Sequence, residues 1–303
     1  MQAITINEVY KNYGAKEVLK GIDLTIDEGE IFGFVGPNGV GKTTLIECIL
    51  GMREITRGNI DVFGLDAKRD HSKFVSLVGA QLQHAEISPN LKTKEAVALQ
   101  AGLFKTRLNV WDELEKVGLR DKGNTYFSKL SGGQKQRLLI CLASVHKPKI
   151  LFFDELSTGL DPISRRDAWG RVLQLKEEGK TIILTTHFMD EIESVCDRVA
   201  VIKDGKIHSA DTSANLVAKL PYHTVYEFES TDEIAPGLIT ADFPVLSVTK
   251  TSDMQYRLCV DSEITETEIS NYMEHHGYRI KRIKKRKTYF EDYYYDLFIG
   301  REG

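Results

Sequence analysis

Gly36-Pro37-Asn38-Gly39-Val40-Gly41-Lys42-Thr43-Thr44 follows the apolar run Ile31-Phe32-Gly33-Phe34-Val35 and precedes the helical-looking residues 45–51. The stretch fits G-x-x-x-x-G-K-[ST], and it lies in the strand-then-helix setting that a phosphate-binding loop needs. Each residue type has a physical reason. Gly36, Gly39 and Gly41 let the backbone fold tightly enough for successive N–H groups to converge on phosphate oxygens, and the helix that follows offers its positive end. Lys42 adds a mobile point charge for β- and γ-phosphates, and Thr43 a hydroxyl for Mg²⁺. A chance glycine turn followed by Lys-Thr would not also be flanked by the strand and the helix.

On the amino-terminal side, residues 3–35 read as short strands. Ile4, Ile6, Ile22, Leu24 and Ile26 alternate with polar residues, and Gly14, Gly21 and Asp27-Glu28-Gly29 supply turns. This predicts an antiparallel layer beside the nucleotide site. Tyr13 stands in that layer, where an aromatic face can stack on adenine; strands also favour aromatics for ordinary packing.

On the carboxyl side, residues 57–64 and 75–79 are expected strands, with Gln81 and Gln83 directly after. From about 84 to 145 the apolar spacing becomes helical (Leu91, Ala96, Val97, Leu99, Leu103; then Val110, Leu114, Val117; then Leu138, Leu139, Leu142, Val145). Within it, Leu130-Ser131-Gly132-Gly133-Gln134 opens an amphipathic run, so backbone N–H groups and a helix dipole can meet an anion there. Alone, a Ser-Gly-Gly is simply a flexible turn. Ile150-Leu151-Phe152-Phe153 suits a strand buried on both faces, and it ends in Asp154-Glu155. In open α/β sheets, ligands bind beyond the carboxyl ends of the strands, which aims this acidic pair at the same crevice as the loop. Thr158-Gly159-Leu160-Asp161-Pro162 turns into a helix expected around 167–178. Residues 181–186 form another buried strand that ends at His187, at the same edge, and residues 199–206 a strand with its hairpin turn.

Near Leu220-Pro221 the organisation changes to strands at 224–228, 245–249 and 255–260, a helix at 265–275, a strand at 278–283 and an aromatic helix at 290–298. This predicts an accessory α+β domain over 219–303, separate from a larger domain over 1–218. The basic run 279–287 is by default a solvated strand face, with anionic partners as the alternative.

The 303 residues and 42% hydrophobic content suffice for packed cores, and the formal charge of −4 argues against a dedicated nucleic-acid binder. The four cysteines, Cys48, Cys141, Cys196 and Cys259, lie singly in apolar contexts and read as reduced residues of a cytoplasmic protein. No run approaches the ~18 apolar residues that span a bilayer, so any membrane work falls to a partner.

With these residues assembled, the chain resembles the ATP-binding subunit of an ATP-binding cassette (ABC) transporter over about residues 3–215. Residues 36–44 match its Walker A loop, Gln83 the Q-loop, Leu130-Ser131-Gly132-Gly133-Gln134 the signature LSGGQ, residues 150–155 the Walker B strand with its glutamate, Asp161 the D-loop and His187 the switch histidine. Tyr13 matches the adenine-stacking aromatic. One departure is Leu156-Ser157, where the family usually has Pro-Thr. The ending from Tyr289-Phe290-Glu291-Asp292 through Phe298 and Gly300 resembles bacterial subunits of ABC-2 type exporters.

The resemblance implies a P-loop NTPase (RecA-like) α/β core with an antiparallel β layer and a helical subdomain. It also implies ATP and Mg²⁺ as ligands, with Thr43, Asp154 and Gln83 around the metal. Glu155 becomes the general base, with Lys42, Gln83 and His187 assisting, while residues 131–134 act in trans within a homodimer or heterodimer. A separately encoded permease would hold the chain at the inner face of the membrane, and nucleic acid is not an expected partner. The competing readings are a soluble ABC ATPase of DNA repair, chromosome organisation or translation, and an ATP-binding regulator. The first class generally carries a long coiled coil or two cassettes in one chain. The second conflicts with intact Glu155 and His187.

Overall fold

The computed structural model describes residues 1–83, 87–234, 245–261 and 264–298. Two compact units divide the chain at Met1–Thr212 and Ser213–Gly303. In the first, β1 (Gln2–Tyr13), β2 (Lys16–Asp27) and β4 (Arg57–Val62) form an antiparallel sheet in the order β2-β1-β4. A second sheet has the order β5-β6-β7-β3-β8-β9, from β3 (Ile31–Val35), β5 (Val78–Gln81), β6 (Ile150–Asp154), β7 (Thr181–Thr185), β8 (Arg198–Lys203) and β9 (Lys206–Asp211). All its pairings are parallel except the β8–β9 hairpin.

Every residue of β3, β6 and β7 is buried, which is why these strands read as unbroken apolar runs. Between the two sheets lies α1 (Lys42–Ile49), whose Leu45, Ile46 and Ile49 share one core with Ile4, Ile6 and Ile26 of one sheet and Phe32, Phe152 and Ile183 of the other. Each such side chain contributes about 1.5–3 kcal/mol by leaving water. The helix after the loop is therefore fixed from both sides.

The expected short strands over residues 3–35 are instead two 12-residue strands, β1 and β2. Gly21, which reads as a turn, is a bulge inside β2. Its φ is +74°, and a Cβ there would stand 2.7 Å from the Tyr10 hydroxyl, so glycine lets the ring lie across the strand. The strand expected at 75–79 is likewise corrected. Residues His71–Leu77 form α2, and the strand begins only at Val78. Phe74 is the one buried residue of that short helix, too few to leave a helical period in the sequence.

The helical region comprises α3 (Thr93–Leu103), α4 (Val110–Lys116) and α5 (Gly132–Ser144), packed through Ala96, Val97, Leu114, Leu138 and Cys141. Just beyond α5, His146 stacks on Phe104 with centroids 3.8 Å apart and bonds through Nε2 to the Val78 carbonyl at 2.9 Å. With Nε2–H as donor, Nδ1 is unprotonated, and it is buried without a partner among the described residues. Burial holds the imidazole pKa below its ordinary 6.5. The folded chain thus binds fewer protons here than the unfolded chain. This contribution is complete above the unfolded value and is lost as pH falls through the folded one. Melting temperature should therefore decline as pH drops from about 7 toward 5, and His146→Gln should flatten part of that slope. An unchanged slope in the variant would show that His146 contributes nothing to it.

Next come α6 (Pro162–Glu177), which starts five residues before its expected beginning at 167, and α7 (Met189–Val195). The early start has a local cause: the Asp161 carboxylate accepts the N–H groups of Ile163 and Ser164, with Pro162 at the first position.

In the second unit, β11 (Ser247–Ser252), β12 (Gln255–Val260), β10 (Thr224–Ser230) and β13 (Ile280–Lys287) make an antiparallel sheet in that order. One face packs on α9 (Glu266–His275) through Tyr226, Phe228, Leu258, Ile269 and Met273. Ser213–Val217, expected with the first domain, groups here as α8, because Val217 and Tyr293 of α10 (Phe290–Phe298) close a small core over Tyr222, Val225 and Cys259. The basic run falls on β13, and part of its charge is consumed by the fold. Arg286 holds Glu227 and Asp292, and Lys281 holds Glu229. Gly300 of the tail lies outside the described residues. No helix among the described residues is long and apolar enough to cross a membrane.

Candidate functional site

Because β3, β5, β6 and β7 run parallel, their carboxyl ends share one edge, and the sequence continues from each into a chemistry-bearing residue. From β3 the chain enters the loop 36–41. At Gly36, φ is +156° and a Cβ would lie 2.5 Å from the Ile202 carbonyl oxygen, so no side chain fits. Pro37, Asn38 and Gly39 are exposed at the top of the loop, and Val40 is half-buried, its N–H donating to the Pro37 carbonyl at 3.4 Å. Lys42, 7% exposed, folds back over this loop and donates from Nζ to the carbonyls of Gly36 (2.7 Å) and Pro37 (3.1 Å). Burial pulls its ammonium pKa below the ordinary value, against the opposing pull of Glu155 and Asp154. An ammonium held on the loop's own carbonyls can transfer its donors to an arriving polyphosphate. Thr44 continues into α1, half-buried.

Thr43 Oγ1 donates to Asp154 Oδ2 at 3.2 Å, and the other oxygen of that buried carboxylate accepts from Thr185 Oγ1. A hydroxyl and a carboxylate side by side fit Mg²⁺ bound together with phosphate. Among the described residues no group of three or more His, Cys, Asp or Glu can hold a metal.

Glu155 follows at the end of β6 with φ +56°, a conformation uncommon for a side-chain-bearing residue. Its N–H is held by the carbonyl (3.2 Å) and the hydroxyl (3.1 Å) of Thr185. The turn puts its carboxylate between two side chains. Gln83 Nε2 donates to Oε2 at 2.8 Å, and His187 Nε2 meets Oε1 at 2.5 Å. Gln83, His187 and Glu155 are thus gathered at one point, one residue beyond the Thr43–Asp154 pair. In its hydrogen bonding Gln83 reaches Glu155 rather than the metal pair expected from the sequence. Gln81 instead braces the helical region, being 5% exposed and accepting from Gln136 of α5 at 3.0 Å.

Ser131, Gly132, Gly133 and Gln134 build a helix start. Ser131 Oγ accepts the N–H of Gln134 (3.3 Å), and Gln134 Oε1 accepts the N–H of Ser131 (3.0 Å). Ser131 and Gly132 are exposed, whereas Gly133 of α5 packs against α6, where a Cβ would stand 2.2 Å from Ser164 Oγ. Asp161 is bonded to that same Ser164 hydroxyl at 2.6 Å, and the Ser164 hydrogen bonds hold its carboxyl below the usual range. After Glu155, Leu156 and Ser157 are buried and Thr158 N–H returns to the Glu155 carbonyl at 3.3 Å, so the departure from Pro-Thr leaves a closed turn. Tyr13 is 40% exposed at the end of β1, with Lys11 Nζ 4.8 Å and the Arg53 guanidinium 5.6 Å from its ring centre.

Sequence reasoning missed Thr185 and Ser164. Thr185 supports both acidic residues, and the only hint was a threonine pair closing a buried strand.

Residues 19–158 match the family model described as "ABC transporter". Over 224 residues the chain is 34% identical to the linearmycin resistance ATP-binding protein LnrL of Bacillus subtilis (strain 168), covering 72% of each chain. It is 36% identical over 225 residues to the Nod factor export ATP-binding protein I of Rhizobium etli, covering 73% of this chain and 71% of that protein. Similarity to the daunorubicin resistance ATP-binding protein DrrA2 of Streptomyces coeruleorubidus extends over an alignment 311 positions long at 29% identity, covering 97% of this chain and 94% of that protein. Among solved structures, cbiO1 from Clostridium perfringens, part of the ABC transporter complex cbiONQ, has a TM-score of 0.64 at 26% identity over 72% of this chain and 91% of that one.

Proposed function

Because this chain belongs to the ABC transporter family, as one of its ATP-binding subunits, we propose that ATP hydrolysis on it drives export through a separately encoded membrane permease. The observation that carries the reading is the Glu155 carboxylate held between Gln83 and His187, one residue past the Asp154–Thr43 pair. A binding-only regulator needs no such arrangement. Hydrolysis does: an in-line water must be oriented and relieved of a proton while charge on the phosphates is neutralised.

In this reading residues 36–44 cradle the phosphates and Tyr13 stacks on the adenine. Lys42 moves from its own carbonyls to the β- and γ-phosphate oxygens. Mg²⁺, bound with the nucleotide beside Thr43 and Asp154, supplies neutralisation of phosphate charge. Glu155 takes the proton of the attacking water, while Gln83 and His187 release it and turn to the nucleotide. Ser131 and its neighbours through Gln134 meet the ATP held by a second subunit, and Asp161 lies at that junction through Ser164. Closure is favoured by ATP because it touches both subunits, and hydrolysis removes that link.

Export is supported by the relatives, whose names speak of Nod factor export and of resistance to linearmycin and daunorubicin. A tagged chain, recovered from its native membranes in mild detergent, should bring down a polytopic membrane protein. Vesicles of the pair should move candidate amphiphiles only with ATP. Recovery with DNA or ribosomes instead would overturn the transport reading and favour a soluble ATPase.

A further inference from the structure

β7 stops at Thr185 and α7 begins at Met189, so His187 lies on a short link outside any helix or strand ladder. The imidazole is exposed and meets Glu155 through Nε2, and the backbone that carries it is placed by what holds residues 186 and 188. Both lead to one side chain. Glu191, 2% exposed, accepts at Oε2 from Thr186 Oγ1, and that same hydroxyl accepts the N–H of Phe188 at 3.0 Å. At Oε1 the carboxylate accepts from Arg165 Nε (2.6 Å) and Trp169 Nε1 (2.7 Å), both on α6. Arg165 also lies over the Phe188 ring at 4.1 Å and holds Asp190 at 2.9 Å.

A buried carboxylate is costly to desolvate and persists where charge-assisted donors converge on it. Here three donors come from two elements that the chain must keep in register. One is the link bearing His187. The other is α6, which begins at Asp161 and carries the Ser164 on which Gly133 rests.

The geometry points to Glu191 as the positioning residue of His187, clamping residues 186–188 onto α6 so that the imidazole keeps its place beside Glu155. This rests on the reading of His187 as a residue that acts on the γ-phosphate. Glu191, buried beneath these three donors, acts through the imidazole and not on the nucleotide. Through α6 it also ties the switch link to the helix that Asp161 caps, so a shift at one is felt at the other.

Glu191→Ala would orphan the buried donors of Thr186 and Trp169, take one partner from Arg165 and risk unfolding, so the test uses its partners. Thr186→Val keeps the shape, removes the hydroxyl and leaves Arg165 and Trp169 on the carboxylate. A displacement of about 1 Å can cost up to about 10²-fold in rate, and we expect a fall of about tenfold in kcat with little change in the KM for ATP. Thr186→Ser, which restores the hydroxyl, should recover most of the loss. Added to His187→Ala, Thr186→Val should cost nothing more, since both act through the same imidazole. Should Thr186→Val fail to fold, Trp169→Phe removes one donor from Oε1 and should lower kcat in the same direction, again without effect in the His187→Ala background.

A slow His187→Ala beside a normal Thr186→Val, or beside a normal Trp169→Phe where that variant replaces it, would overturn the clamp. So would additive losses in the double variant. Normal turnover in His187→Ala would instead overturn the role given to His187, and the clamp with it.

Discussion

Glu155→Gln should slow ATP turnover by about 10²-fold or more while ATP still binds, the usual share of a general base. Glutamine keeps the length of the side chain, its φ of +56° and an oxygen for one of the two neighbours, Gln83 or His187. What it lacks is the ability to take a proton. A loss of that size corresponds to about 2.7 kcal/mol of transition-state stabilisation. The Lys42 loop and the Thr43–Asp154 pair are untouched, so nucleotide affinity should stay near wild type. Phosphate release measured beside equilibrium nucleotide binding separates the two effects. If hydrolysis is what reopens the dimer, the variant with ATP should also elute as a dimer where the wild type returns to monomer. Near-normal turnover would remove Glu155 from the role of base.

The cradle and the acidic pair were legible in the sequence because phosphate chemistry dictates residue types at fixed offsets. Gly36 can hold no Cβ against the Ile202 carbonyl, Lys42 must follow the glycines to fold over them, and Asp154-Glu155 must end a strand buried on both faces. Parallel strands then bring those ends together without further information. The supporting residues were not legible. Thr185 closes an apolar strand as many threonines do, and Glu191 sits on a seven-residue helix that exposes most of its charges. Their meaning comes only from what folds against them. The same holds for Gly21 and Phe74, where a bulge under Tyr10 and a helix with one buried residue carry no period to read.

The loop and the signature raise a different question, since one chain holds both and yet Ser131 spends its hydrogen bonds on its own helix cap. An exposed serine and glycine at a helix start, with the dipole behind them, can receive an anion that another chain brings. A twofold pairing of two chains would complete it, with each loop facing the other chain's signature. Lys42→Ala should then lose both nucleotide affinity and turnover, because a buried ammonium and its donors to the phosphates are removed. Ser131→Ala should lose turnover with less effect on affinity, because the loop that binds ATP is intact.

Mixing the two variants decides the geometry. In a mixed dimer one site combines both defects, while the other pairs an intact loop with an intact signature. With random exchange, half of all dimers carry one such site, so activity should return to about a quarter of wild type if the sites work independently. The measurement is steady-state ATPase activity of each variant alone and of the pair after subunit exchange, followed with differently tagged chains. Recovery requires Ser131 to serve the nucleotide of its neighbour. If mixed dimers form and activity stays at the level of the single variants, Ser131 does not act across the pair, or the two sites cannot fire singly. An independent test separates those cases: a crosslink between cysteines placed at Asn38 and Gly132 should form between chains, only with ATP, in the Glu155→Gln background.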